Sequence, residues 1–179
     1  PSTLDTFVGG YFLRINQDHL YHGAALTQIA EHEQFTAINA VRVNKRPHRS
    51  AFRINDSHCV YLKYATKPTK PHDEYIFTFL EAHLDDLKQL SKKSDKLFVA
   101  LVCVEDHEIC LLPYQTLLDL IAKRHTKKGS LEDQYTLLVL LESGKQFRVN
   151  MNLPNRRKFY VGESVLIARK DFPNRLFEA

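Results

Sequence analysis

The chain has 179 residues, 44% hydrophobic, 26% charged and 11% aromatic, with a formal net charge of +4. That length makes one or at most two domains with a real core, and the composition excludes intrinsic disorder, collagen-like repeats and disulfide scaffolds. No apolar run approaches the ~18 residues a membrane span needs, and Asp5, Arg14 and Asp18 near the start lead us to expect no signal peptide and a cytoplasmic protein.

Residues 1–21 show little periodicity beyond Tyr11-Phe12-Leu13 and read as an N-terminal arm. His22 to Phe35 is a helix candidate, with Leu26, Ile29, Ala30 and Phe35 near one face. Ala37 to Val43 reads as a short strand, followed by a basic loop in which Pro47 breaks any helix. Ser50 to Asn55 alternates as a strand, Asp56-Ser57 turns, and His58 to Ala65 forms a second strand with Val60, Leu62 and Tyr64 on one face. A loop with Pro68 and Pro71 leads to a third strand, Glu74 to Phe79. Thr78 and Glu81 have capping-box spacing ahead of a helix with Leu80, Leu84, Leu87 and Leu90, ending near Ser91-Lys92-Lys93.

Lys96 to Val104 is almost continuously apolar and predicts a central strand covered on both faces. The tetrad Glu105–Glu108 turns it into Ile109–Leu112, and Pro113 opens a helix to about Arg124. Residues 135–141 and 146–151 predict a hairpin, Pro154 to Lys158 a basic loop, and residues 164–168 a last strand. We expect domains at 22–128 (an α/β core) and 129–179 (a basic, β-rich extension).

Charge is uneven: residues 1–121 hold 13 Lys+Arg against 15 Asp+Glu, whereas residues 122–179 hold 12 against 6. Arg42, Lys45, Arg46, Arg49 and Arg53 lie in one stretch without an acid. Such a stripe either neutralises phosphates or is a solvated loop. Cys59, Cys103 and Cys110 sit in apolar runs, as reduced buried thiols do. The tetrad between the last two lacks zinc spacing and reads as a hairpin tip. HExxH, GxSxG, GxxxxGK[ST] and GxGxxG are all absent, so metalloprotease, lipase-type, P-loop and Rossmann readings have no support.

The order helix, strand, strand, strand, helix, strand over residues 22–121, with Val60-Tyr61-Leu62-Lys63 in the second strand, resembles the core of the PD-(D/E)xK nuclease superfamily. The resemblance implies an α/β (α+β) fold, a mixed central sheet flanked by helices, with a restriction-endonuclease-like core and a small C-terminal β extension. In that family one strand presents Asp, the next Glu or Gln, a spacer and Lys, and the first helix often a Glu; the carboxylates hold Mg²⁺, which activates a water. Carried over, Lys63 matches the Lys, Glu31 the helix Glu, and Tyr61 stands where the acid belongs. The Asp position falls on Arg53, Asn55 or Asp56, and Glu74 is the candidate for a migrated acid.

The bland readings stand beside these: Lys63 as an outward cation, Glu31 as solvent-facing, and Arg53, Asn55, Tyr61 and Lys63 as the wet side of a sheet. Tyr61 and Tyr64 either stack on bases or pack. Three functions follow. The first is nucleic-acid binding, of DNA, with an incomplete metal site, using Arg42, Lys45, Arg46, Arg49, Arg53, Lys63, Arg156, Arg157 and Lys158 on phosphates. The second is a Mg²⁺-dependent DNA endonuclease of restriction or repair type, with Glu31, Asp56 and Glu74 as metal ligands and Lys63 assisting. The third is a protein-interaction subunit or homodimer that pairs through sheet edges. Convergence of Glu31, Lys63 and Asp56 or Glu74 in one cleft would favour the enzyme.

Overall fold

A computed structural model describes residues 14–178; the expected arm, with Tyr11-Phe12-Leu13, lies mostly outside the described residues. Helix α1 (Gln17–Ala30) starts five residues before the sequence predicts. Its cap is Asn16, whose Oδ1 accepts from the His19 N–H at 2.9 Å while the Asn16 N–H donates to His19 Nδ1 at 3.2 Å. A histidine thus fills the role that the usual capping signature gives to Glu or Gln.

Strands β1 (Ile38–Val43), β2 (Arg46–Ile54) and β3 (His58–Ala65) form an antiparallel meander. Next come β4 (Glu74–Leu80), α2 (Glu81–Ser91), β5 (Lys96–Cys103), β6 (Glu108–Pro113) and α3 (Tyr114–Lys128). The chain closes with β7 (Gln134–Leu140), β8 (Phe147–Leu153), β9 (Arg156–Tyr160), β10 (Val165–Ile167) and α4 (Asp171–Asn174). The basic stretch at Arg46 to Arg49 is therefore strand rather than loop. Pro47 is tolerated because this half of β2 pairs with β1 alone, so its missing N–H breaks no ladder on the other side.

The molecule is α+β. One mixed sheet has the order β1-β2-β3-β5-β6, in which only β3 and β5 run parallel. The second has the order β10-β8-β7-β4, with β9 on β8. As expected, β5 is buried on both faces from Leu97 to Cys103, but it lies between β3 and the edge strand β6, and the middle of the sheet is β3. Val60, Leu62 and Ala100 pack under Ala25 and Ile29 of α1 and Phe172 of α4. On the other face, Tyr61, Val99 and Leu101 share one core with Leu87 of α2, Leu117 of α3, and Phe77, Leu137 and Val149 of the second sheet.

Alternation makes β3 two-sided, so Tyr61, only 3% exposed, is core and not the wet side of a sheet. The expected boundary at 128/129 runs through the second sheet, because β4 pairs with β7 along its length, from Glu74↔Leu140 to Leu80↔Gln134. The tail strands are paired. Thr78 does not cap α2: it lies in β4, and its hydroxyl meets that of Thr136 at 3.2 Å. His83 serves the helix start instead, its Nδ1 accepting from the Leu80 N–H at 3.2 Å. All three cysteines are free and buried, and Glu105 to His107 is a hairpin turn. Among the described residues no helix is long and apolar enough to cross a membrane.

Candidate functional site

The decisive local feature is a split in the first sheet. β3 pairs with β5 over its whole length, but with β2 only from His58 to Tyr61. Beyond Ala51↔Tyr61, the segment 46–50 parts from the end of β3. The register of β1 and β2 shifts between Ala40 and Arg42, and such a bulge bends and twists a hairpin. The Asn44-Lys45 turn, with φ of 51° and 66°, closes that hairpin with the geometry of a tight two-residue loop.

Two clefts flank the parted half of β2. The first, of ≈ 650 Å³, is lined by Arg46, His48 and Arg49 of β2, Tyr61 of β3, and His83 and Asp86 of α2. Lys63 lies behind it, two residues after Tyr61 and on the same face. Its Nζ is 3.4 Å from His83 Nδ1 and 5.1 Å from the centre of the Phe79 ring. Burial lowers the Lys63 pKa, and no described carboxylate opposes that effect.

The one carboxylate of this cleft is already engaged. Asp86 Oδ2 is 3.0 Å from His48 Nε2, and His48 Nδ1 accepts from the Ser50 N–H at 3.1 Å. The backbone donor assigns the ring proton to Nε2, which donates to Asp86. The His48 ring also lies 5.4 Å from that of Tyr61. Burial and the Asp86 charge push the Tyr61 phenol up to about 12, so at neutral pH it remains a donor. Burial first, and then Lys63, lower the His83 pKa, which keeps that ring neutral. The cleft is thus lined by two guanidiniums and a phenol, with the Lys63 ammonium behind them and the Asp86 carboxylate held by His48.

The structure does not bring the candidate metal ligands to Lys63. Glu31 is the exposed C-cap residue of α1. It lies toward the β2–β3 turn, where Asn55 Nδ2 donates to the Gln34 carbonyl at 2.6 Å. Asp56 sits in that turn and accepts from Asn39 Nδ2 at 2.9 Å. Lys63 is seven residues beyond Asp56, roughly 20 Å along the chain. Glu74 is buried in the second sheet, accepting from the Tyr160 hydroxyl at 2.5 Å. It stands five positions, roughly 16 Å, before Phe79 on β4. Among the described residues no three His, Cys, Asp or Glu side chains group as a metal site requires. The site therefore offers no carboxylate set for Mg²⁺.

The basic residues divide. Arg46 and Arg49 line the cleft. Lys45 is in the hairpin turn, and Arg42 is exposed on β1. Arg53 instead ties down the end of α2, its Nη2 donating to the Lys93 carbonyl at 3.0 Å. Arg156 lies 5.8 Å from the Phe159 ring on β9, and the side chains of Arg157 and Lys158 lie outside the described residues. Tyr61 pairs with Ala51 on β2, and the polar side chain from that strand that reaches its ring is His48, not Arg53. Asn55, at φ 49°, caps the approach to β1 by accepting from the Thr36 N–H at 2.8 Å. Sequence reasoning missed His48, His83 and Asp86. The only available signal was a histidine beside a proline at a strand start.

The second cleft, of ≈ 780 Å³, lies on the α1 side and shares His48 and Arg49 with the first. His22 of α1 lines it and is 5% exposed. Burial lowers the His22 pKa below its usual 6.5, and His58 and His83 shift in the same direction. The unfolded chain takes up these protons first as the pH falls, so stability is present above about 6.5 and lost below it. We expect a lower urea midpoint at pH 5.5 than at pH 7.5, with a smaller difference in His22→Gln. An equal difference in that variant would remove His22 from the account.

Comparison of the chain with protein families, with curated proteins and with solved structures finds no match. The functional reading therefore rests on the geometry alone.

Proposed function

We propose that this chain binds nucleic acid, as DNA, through phosphate contacts in the cleft between the β1–β2 hairpin and α2, on a nuclease-like core that lacks a metal cage. One observation carries the reading. Lys63 is a partly buried cation with no described carboxylate beside it, set behind a cleft that Arg46 and Arg49 line. A buried charge without a counter-ion is costly, and a phosphate entering the cleft supplies one. His48 holds Asp86, which lessens the repulsion that a free carboxylate would present to an incoming anion.

The meander β1-β2-β3 and the parallel partner β5 support the resemblance to the PD-(D/E)xK core, as does the meeting of two strands beside Lys63. On that reading the two strands bring His48 and Tyr61 together beside Lys63, and neither is an acid. The site thus retains the cation and lacks the metal ligands, which favours binding over Mg²⁺-dependent cleavage.

The test is fluorescence anisotropy of a labelled DNA across a NaCl series. Affinity should fall steeply, with log K linear in log salt and a slope of about −0.9 per neutralised phosphate. Arg46→Ala with Arg49→Ala should weaken binding and flatten the slope by about two such contacts. Salt-independent binding, or an unchanged slope in the double variant, refutes the proposal.

A further inference from the structure

The two clefts differ in chemistry, and the difference has the pattern of a nucleotide. The first is a bed of donors, as described. The second is also lined by two guanidiniums, Arg14 and Arg49, but adds what the first lacks: the apolar walls Leu26 and Phe52, with Asp18 and His22 beside them. His22 Nδ1 is buried and has no hydrogen-bond partner among the described residues. A buried ring nitrogen left unpaired costs free energy that a ligand hydrogen bond recovers, and in the Nε2-protonated tautomer Nδ1 accepts from a ligand N–H. Gly23 also lines this cleft, and nothing lies within 4 Å of where its Cβ would stand, so that wall of α1 is open to a flat group.

Resting on the nucleic-acid reading, we propose that the second cleft receives one unpaired base of a DNA strand, of a type bearing an exocyclic amine, while the adjacent phosphate lies among Arg46, Arg49, Tyr61 and Lys63. His48 and Arg49, shared by both clefts, stand between base and phosphate. A base inside a duplex has its edge paired and its faces stacked, so it enters only after extrusion at a cost of a few kcal/mol. The chain therefore prefers single strands. The exocyclic amine of adenine or cytosine brings two N–H donors to Asp18 and His22, whereas an unpaired thymine brings one, its N3–H, flanked by two carbonyl acceptors that Asp18 disfavours.

The experiment compares single-stranded and duplex forms of one labelled 20-mer at fixed salt, on the full chain and on Gly23→Leu. The substitution projects a side chain into the cleft and improves helix propensity, so folding is retained; a thermal melt verifies this. The single strand should bind about tenfold more tightly than the duplex, and Gly23→Leu should abolish that difference while leaving duplex affinity unchanged. A 2-aminopurine within the single strand should change its fluorescence on binding to the parent and not to the variant. Oligo(dA) should bind more tightly than oligo(dT).

Equal affinity for single strand and duplex, or a preference that survives Gly23→Leu, overturns the base site while salt-dependent duplex binding keeps the phosphate reading intact. Equal affinity for oligo(dA) and oligo(dT) overturns the role of the acceptors. Displacement of the oligomer by micromolar dAMP makes a free nucleotide the ligand and overturns the strand. Absence of binding to any DNA overturns both proposals together.

Discussion

Replacing Lys63 by Met should raise the thermal midpoint by ~2–4 °C and weaken DNA binding at least tenfold. Both effects have one cause. The Lys63 ammonium is partly withdrawn from water, its neighbours are the neutral His83 ring and Phe79, and burial alone accounts for its lowered pKa. Exchanging such a charge for an apolar side chain of similar length is commonly stabilising, and partial exposure holds the gain to about 1 kcal/mol. In a chain of this size that is a few degrees. Met also keeps a favourable contact with the Phe79 ring.

The loss on DNA follows from removing a charged hydrogen bond to phosphate, worth about 1.5–3 kcal/mol, where 1.4 kcal/mol is tenfold in affinity. The stability gap has a definite pH dependence. Below both folded and unfolded pKa values the parent bears the full cost of the buried cation. That cost fades as the pH rises through the lowered folded value and is gone only above 10.5, where Lys63 is neutral in both states, so parent and variant should converge in alkaline melts. A Lys63→Met variant less stable than the parent at pH 7 would mean that the ammonium has a counter-ion in the folded protein, and the argument for an absent anion would fail.

The strands that hold Lys63 were legible because their pattern is local. β3 spans His58–Ala65 as alternation predicts, and β5 follows from an apolar run that only a doubly covered strand explains. The cleft itself was not legible. The segment Arg46 to Arg49 is basic and contains Pro47, which reads locally as loop; it is a strand because β1 pairs with it across a two-residue turn. Its parting from β3 depends on a register shift that composition does not encode. His48, Tyr61 and Asp86 come from β2, β3 and α2, and only the folded chain brings them together. The same limit applies to Arg53 and Asn55: they share one alternation, yet Arg53 on β2 anchors the end of α2, and Asn55 in the turn holds a loop. The start of α1 escaped because its cap pairs Asn16 with His19.

Long-range pairing also hid the relation between the core and the tail, and it carries the largest stability prediction. A chain ending at Lys128 should not unfold cooperatively. Although β4 lies early in the sequence, its one sheet partner along its full length is β7, beyond that point. Removing residues 129–179 leaves Tyr75, Phe77 and Phe79 on a strand without a ladder and exposes them to water. It also strips Leu117 and Leu120 of α3 of their cover by Leu137, Val149 and Met151, and takes Phe172 and Leu176 from the α1 face.

Each large apolar side chain so exposed forfeits about 1.5–3 kcal/mol. Five or six of them already match the ~5–15 kcal/mol that holds a domain together. The truncated chain should give a gradual urea profile by circular dichroism and bind a hydrophobic dye, while Leu137→Ala in the full chain keeps a sharp transition and loses about 3 kcal/mol. A sigmoidal transition in the truncated chain would show that residues 14–128 fold alone. The second sheet would then be an appendage, and the floor under Lys63, where Phe79 sits on the strand that β7 holds, would not depend on it.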